Sequence, residues 1–554
     1  MPNYIEINKN LLFPSASTVG KIVVGVNIAN QLTKTDSNGI TTIIGQDWAP
    51  YTSSYKVFTA KMTQGGTGAP EYSTDENTLG FNPEWRYLTT ANYSFNFSQS
   101  VDPNKIVPFI YPNLSDNILS TYEVDAQQYN FYDSTFDSNP GGTFNSQVRA
   151  LASQPDGKVI VGGTFTQYGG LDLYRIARLD YNGLVDPSFI YGGEGGFNDR
   201  VRKIVVQDDG KILVGGDFNS YNDSTLEITT GCPGIARLTS DGHFDLDFTI
   251  GSGFTSTGYG GNVYDIVVQP DGKILVGGWF GSYNGTTANR IIRLDASGSE
   301  DTTFNSGNGF SNVNTNSNYD RVSSIALQPD GKITCAGQFD TYTNGYAYSC
   351  AGIIKLNSSG SVDTTFYNNI GTGFGNDWVN VIRLQDDGKI VVGMNANNAP
   401  IDYNGTSINY LTRLNSNGTL DTDFNDIIVY EGNFNGPVND TKILTSGQIV
   451  SAGGFTVGGG NGFINKVSTN GYLISTYNNG FDSTCYVLEP QSYGRILVGG
   501  DFTYFQPMSI YGASVTRLAR IYSSIDVVLT ARNNDGSEGN DQLNNTPVEI
   551  RQYI

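Results

Sequence analysis

Apolar residues recur along most of this chain as paired short runs around a tight turn, as in Val267-Val-Gln-Pro-Asp-Gly-Lys-Ile-Leu-Val-Gly-Gly278. An Asp-Gly pair between two apolar runs predicts a β-hairpin, because the turn needs residues that tolerate positive φ. Gln154-Pro-Asp-Gly-Lys158, Gln207-Asp-Asp-Gly-Lys211, Gln328-Pro-Asp-Gly-Lys332 and Gln385-Asp-Asp-Gly-Lys389 are close copies. Thr445-Ser-Gly-Gln448 and Ser492-Tyr-Gly-Arg495 are degenerate ones. The turn glycines 157, 210, 272, 331, 388, 447 and 494 are separated by 53, 62, 59, 57, 59 and 47 residues. Seven units at such a period predict a repeat architecture.

Each unit holds four candidate strands. Strand a reads Val-x-x-Ile-x-x-Gln, and strand b reads Lys-Ile-Leu-Val-Gly-Gly. Strand c is of the Ile-Ala-Arg-Leu type, from Ile176–Leu179 to Val515–Leu518 in the seventh unit. A second Gly turn leads to strand d, marked by Asp-x-x-Phe at Asp186–Phe189, Asp245–Phe248, Asp301–Phe304, Asp363–Phe366 and Asp421–Phe424. Four antiparallel strands repeated radially make the blade of a β-propeller. The seventh unit lacks a strand d, and Asp133-Ser-Thr-Phe136 stands unused before the first. A closed ring predicts this arrangement, with the N-terminal segment completing the last blade.

The expected fold is therefore all-β: a seven-bladed β-propeller of four-stranded blades, residues 129–521, inserted into a small antiparallel β-sandwich-like domain. Alternating runs predict that domain over residues 49–128 plus 522–554, because entry and exit of a closed ring adjoin. Residues 1–48 read as a separate β-hairpin and attachment segment, with a hairpin about Asp36-Ser-Asn-Gly39.

Composition narrows the function classes. With 15% charged and 12% aromatic residues, 68 Gly and 34 Tyr, the chain is loop-rich and globular rather than disordered. A net charge of −21 argues against nucleic acid and suits a soluble particle or surface protein. Neither a secretory leader nor an apolar run of about 18 residues is visible, so membrane insertion is not expected. One histidine, His243, and four cysteines without a C-x-x-C pair disfavour thiolate or imidazole metal sites, and no cofactor is expected. Cys335 and Cys350 fall in one unit; buried free thiols are preferred over a pair.

The Gln-Pro-Asp-Gly-Lys-Ile-Leu-Val-Gly-Gly, Arg-Leu and Leu-Asp-x-x-Phe pattern resembles the delta-60 repeat family of bacterial and phage surface proteins, which is associated with seven-bladed propellers. Thr63-Gln-Gly-Gly-Thr-Gly-Ala-Pro70, Glu76-Asn-Thr-Leu-Gly80, Trp85 and Asn545-Thr-Pro-Val-Glu-Ile-Arg551 are similar to a β-module of structural proteins of tailed phages, notably of Bacteroidetes hosts. Gly20–Ile44 resembles segments near the start of phage fibre proteins. These resemblances imply a virion component (tail, fibre or head decoration), oligomeric among other virion proteins, assembled in the host cytoplasm and released by lysis.

Alternation places the short a–b and c–d turns on one face and the long b–c and d–a loops on the other. The variable face is where binding is expected, with a host-surface glycan or protein as partner. A tyrosine recurs in the b–c loops: Tyr168, Tyr221, Tyr283, Tyr342 and Tyr403. These are candidate ligand-face residues able to stack sugar rings; the competing reading makes them plugs between blades. An Asp repeated in every Asp-x-x-Phe is expected to bond backbone N–H groups at the start of strand d rather than to act in catalysis or bind calcium. The repeated Lys and Arg are expected to be solvated or to pair blades. Asp36-Ser-Asn-Gly39 and Asn534-Asp-Gly-Ser537 lack the terminal acid of a calcium loop. His243 is expected to be a surface turn residue. No sialidase-type Ser-x-Asp-x-Gly-x-x-Trp box occurs, so no catalytic residue is named. A non-enzymatic virion protein is the expectation, with a purely architectural part, a glycan-degrading propeller enzyme and a bacterial adhesin as alternatives.

Overall fold

A computed structural model describes residues 136, 142–189, 195–223, 228–256, 259–311, 320–375, 377–396, 401–431, 434–455, 463–476, 480–491, 495–505 and 515–522 of the repeat region. Outside it, the described residues are the strands 4–8, 21–28, 32–35, 41–44, 54–61, 92–94, 108–111, 120–125, 524–529 and 550–553. Asp133, the turn glycine Gly494, the phage-like stretches at 63–85 and 545–549, and both calcium-like loops lie outside these residues.

The chain divides into two compact units, one of Met1–Ala126, Ser492–Arg495 and Tyr522–Ile554, the other of Gln127–Gln491 and Ile496–Ile521. In the first unit, Ser524–Leu529 pairs antiparallel with Ser120–Asp125, and Ile550–Tyr553 pairs with Tyr4–Asn8. Lys21–Ile28 lies between Ser54–Lys61 and Pro108–Tyr111. Residues 1–48 thus contribute strands to the same sheets as later residues, and Leu32–Thr35 forms a hairpin with Thr41–Ile44.

In the second unit, strands a, b and c form an antiparallel sheet in each repeat, with b in the middle. The a strands are Val148–Ser153, Val201–Val206, Asn262–Val268, Arg321–Leu327, Trp378–Leu384, Val438–Ile443 and Cys485–Gln491. Each neighbours the a strand of the next repeat, and the seventh neighbours the first. This cyclic order of sheets is that of a β-propeller and is consistent with seven blades. In the seventh repeat, strand c is Leu518–Tyr522 rather than Val515–Leu518. Leu-Ala-Arg-Ile521, not Val-Thr-Arg-Leu518, therefore matches the Ile-Ala-Arg-Leu pattern.

The a–b turns form as expected, with positive φ at Gly157, Gly210, Gly272, Gly331, Gly388 and Gly447. The Gly pair closing strand b has two separate roles. A Cβ on Gly215 would lie 2.6 Å from Val263 of the next repeat; one on Gly499 would lie 2.5 Å from Val148, across the ring closure. A Cβ on Gly216 would lie 2.1 Å from the Arg200 carbonyl of its own sheet. The first glycine admits the neighbouring blade, and the second admits the adjacent strand.

The expected fourth strand is where the structure departs most from expectation. In five repeats strand d shrinks to a single bridge, such as Leu179 to Val185 and Leu294 to Glu300. The Asp that marks it ends the extension: the Asp186 carboxylate accepts from Ser188 N at 2.9 Å, and Asp301 from Thr303 N at 3.0 Å. Such local bonding competes with a sheet ladder. In the fourth repeat the same Asp, Asp363, caps the helix Thr364–Ile370. The sixth repeat, whose mark has faded, keeps a fourth strand, Leu473–Thr476.

Candidate functional site

The repeated charged residues are consumed by the ring. In the first repeat Lys158 Nζ and Arg178 Nε meet the Asp186 carboxylate at 2.9 and 2.8 Å. Arg178 also donates to the Ser240 carbonyl of the next repeat at 2.5 Å and lies 4.8 Å from the Phe189 ring centroid. Burial disfavours the Asp186 charge, but bonds from Lys158 and Ser188, with the Arg178 charge, hold its carboxyl well below the usual range. Arg237, Arg293 and Arg413 repeat the arrangement, reaching Ala296, Ser358 and Thr469. Lys355 stands in for Arg in the fourth repeat and reaches Ser416 at 2.5 Å. Arg520 of the seventh repeat lies 4.7 Å from the ring of Phe136 and donates to Tyr181 of the first. Phe136 occupies the place that each Asp-x-x-Phe phenylalanine takes elsewhere. The whole signature is a blade-to-blade latch.

The five candidate tyrosines do not form a ligand face. Tyr168, Tyr221, Tyr283, Tyr342 and Tyr403 are at most 4% exposed. Their hydroxyls donate to the carbonyls of Gly183, Gly242, Gly298, Gly360 and Gly418, at 2.5–2.7 Å. Each ring packs on a phenylalanine of its own repeat, such as Phe197 and Tyr221 at 4.7 Å between centroids. A buried ring has no free face to stack a sugar, so these residues are structural. The loops do share one end, since Gly196–Phe197 of a d–a segment pairs with Ser220–Asp223 of a b–c loop.

His243 has a partner that its sequence neighbourhood does not contain. Its Nδ1 lies 3.0 Å from the fully buried Asp223 carboxylate, 20 residues away. Cys232, Cys335, Cys350 and Cys485 are buried free thiols, and burial pushes Cys232 up to about 12.

The side chains left over from the latch converge elsewhere. Strand a carries a β-bulge just after its conserved-in-repeat apolar residue: the register shifts between Val201 and Lys203, Val263 and Asp265, Val322 and Ser324, Val379 and Val381, and Val438 and Asp440. In the first repeat Gly162 faces Ala150 while Gly163 faces Val148, which leaves Arg149 as the extra residue. A bulge re-aims the side chain it leaves unpaired. The re-aimed residues are Arg149, Arg202, Tyr264, Ser323, Asn380 and Asn439, and Tyr486 holds the same place in the seventh strand a. All seven line one cavity of about 380 Å³, together with Arg200, Arg321 and Asn395. Because each sits near the start of strand a, the cavity opens at the d–a and b–c end of the ring.

Its electrostatics contrast with the −21 chain. Arg202 binds Asp217 in bidentate fashion at 2.5 and 2.9 Å, and Arg200 joins the same carboxylate at 3.3 Å. Arg149 donates to Gln147 and lies 3.9 Å from the Tyr486 ring centroid. Arg321 donates to Ser323 and Gln338 and lies 5.2 Å from Tyr264. Neither has a carboxylate at ion-pair distance among the described residues. Burial, then repulsion from Arg200 and Arg202, lowers the Arg149 pKa; burial and Arg202 lower that of Arg321. Deeper in the channel, charges are matched: Lys203 with Asp265, Arg383 with Asp440, and Lys442 with Glu489. Sequence reasoning passed over this site. The available signal was the strand a position that reads Arg, Arg, Tyr, Ser, Asn, Asn, Tyr directly after a valine that recurs in the first six repeats.

Five segments, 154–189, 207–248, 269–304, 328–366 and 385–424, match a family model described as a domain of unknown function (DUF5122) beta-propeller. No protein of curated function matches the sequence. Similar solved structures include the WD40 β-propeller domain of Doa1, 16% identical, covering 73% of this chain and 97% of that one with a TM-score of 0.42. A streptogramin B lyase is 13% identical over 74% of this chain and 99% of its own, TM-score 0.35. PorZ, a surface component of the type-IX secretion system of Porphyromonas gingivalis, is 11% identical over 76% and 54%, TM-score 0.30. The chain carries a β-propeller whose first five repeats match this family model of unknown function.

Proposed function

We propose that this chain is a non-enzymatic structural protein of a phage virion that displays its propeller as a binding head for a host-surface glycan or protein. One observation carries the binding half. The strand a position that reads Arg, Arg, Tyr, Ser, Asn, Asn and Tyr around the ring is delivered by a bulge, in every repeat where the register is defined, to one mouth on the loop face. A ring that spends its repeated charges on latching and gathers its variable ones in a cavity has the layout of a rigid recognition scaffold. The virion half is supported by the delta-60 pattern and by the phage-module resemblance of the flanks. Other virion proteins are then the partners of the flanking strands, and the protein assembles in the host cytoplasm.

Immunogold labelling or cryo-EM localisation on whole particles tests it. Label at tail or fibre ends, with adsorption lost on substitution in the channel mouth, is the expected result. Label on no particle would sink the virion half, and unchanged adsorption of intact particles would sink the binding half. The latch favours one second reading, a collar or decoration part in which the ring is a rigid spacer; even labelling over capsid or collar is its signature.

A further inference from the structure

We infer that the channel mouth binds an acidic saccharide, its carboxylate taken on the arginine side and its hydroxyls on the asparagine side. The inference rests on the binding half of the proposed function and specifies the ligand's chemistry.

Charge accounting comes first. Four guanidiniums, of Arg149, Arg200, Arg202 and Arg321, meet one ion-paired carboxylate, that of Asp217. Asp199 and Asp501 attract the cluster only from beyond ion-pair distance, and Asp501 is itself paired with Arg517 at 2.8 Å. The three deeper cations each have their own carboxylate, so no charge is lent to the mouth from below. Like charges held together at the edge of a low-dielectric wall repel, and a bound anion removes that repulsion. Arginine forks suit a carboxylate because two parallel N–H groups match its two oxygens.

The rest of the wall excludes a bare anion as the full description. Arg149, Arg200, Arg202 and Arg321 come from the first, second and fourth repeats, so one arc is cationic. Asn380 and Asn395 come from the fifth repeat and Asn439 from the sixth, so the other arc is neutral and rich in amides. Asn380 already spends one amide donor on the Val438 carbonyl, at 3.1 Å, and Asn439 one on Cys485. The remaining amide capacity matches hydroxyls, which both donate and accept. Arg202 and Arg321 lie over Tyr264 and Arg149 lies over Tyr486, so guanidiniums already engage the rings of the mouth, which disfavours an aromatic ligand. A cavity of about 380 Å³ is at the small end of ligand pockets, the size of a sugar or two.

The test uses the full chain and isothermal titration at low salt with glucuronate, glucose and inorganic sulfate. Glucuronate is expected to bind at least about tenfold more tightly than glucose, the effect of one charged contact. The double variant R149Q/R321Q should abolish that preference, and N380A/N439A should weaken glucuronate while leaving sulfate unchanged. R149Q/R321Q gives up its contacts with Tyr486 and Tyr264 as well as repelling charge, so a cooperative melt well above the titration temperature is the check that lost binding is not lost folding. Equal binding of glucose and glucuronate, or glucuronate binding untouched in R149Q/R321Q, overturns the inference. Sulfate as tight as glucuronate, with N380A/N439A silent, reduces the site to a bare anion site and overturns the saccharide assignment. Binding of neutral glycans alone on an array would leave the proposed function standing and this inference refuted; absence from particles would do the reverse.

Discussion

Arg520 donates from its guanidinium to the main-chain carbonyl of Tyr181 at 2.7 Å, joining residues 339 apart in sequence. The same guanidinium lies 4.5 Å from the Tyr181 ring centroid and 4.7 Å from that of Phe136. This contact repeats, at the ends of the ring, the latch that Arg178 and Arg237 make between consecutive repeats.

Arg520→Gln should therefore cost about 2–4 kcal/mol, the sum of a charged hydrogen bond and a buried cation–π contact. Urea midpoints of R520Q and R237Q should fall by similar amounts. A negligible loss in R520Q alone would mean that the closing interface is not latched like the others.

Tyr283→Phe keeps the ring against Phe254 and deletes the bond to the Gly298 carbonyl. The expected loss is about 1–2 kcal/mol, because a buried acceptor is left unsatisfied. Any glycan binding should be unchanged. Binding lost with stability intact would return this tyrosine to the ligand face.

Lys355 is the pH-sensitive member of the latch series, since burial lowers its pKa to about 8. Unfolded lysine titrates near 10.4, so between about pH 8 and 10.4 the unfolded chain binds the extra proton. Stability of the native protein relative to Lys355→Met should thus rise from pH 8 toward pH 10 and be flat below pH 7. Thermal melts of both proteins across that range measure it, and a difference that falls with pH would refute the assignment. Lys355→Arg, which restores the residue used in neighbouring repeats, should remove the slope.

Gly216→Ala places a methyl group 2.1 Å from the Arg200 carbonyl, at the bulge that sets Arg200 and Arg202. A loss of about 1–3 kcal/mol is expected from this overpacking. Gly231→Ala, where nothing lies within 4 Å, should stay within about 0.5 kcal/mol. Equal melting temperatures of the two variants would show that the close approach is unimportant.

The ring was legible because its determinants are local and repeated. Pro-Asp-Gly turns, Gly pairs and alternating apolar runs each act within one hairpin, and the orphan Asp133–Phe136 segment pointed to the closure that Phe136 makes. The fourth strand was misread because Asp-x-x-Phe looks like a strand with one charged position. The backbone bond expected of the repeated Asp forms at Ser188, but there it ends the extension, and the grip of Asp186 on Lys158 and Arg178 joins residues that no local pattern pairs. The tyrosines carry two readings, ligand face or structural plug, and their position in a loop does not signal that Tyr221 and its counterparts fold inward onto phenylalanines. The channel mouth was illegible because its residues lie about 50–60 positions apart and gain meaning only from the bulge. A bulge depends on backbone pairing, and its residues obey no hydrophobic rule.

The bulge has an evolutionary reading. Its residue takes no part in cross-strand register, in the blade latch or in the apolar packing between sheets. Seven such places can therefore be rewritten one at a time while the ring around them stays foldable. On the binding role proposed above, recognition is a short text set in a fixed frame, and a lineage under pressure to follow a changing surface could edit the text without rebuilding the frame.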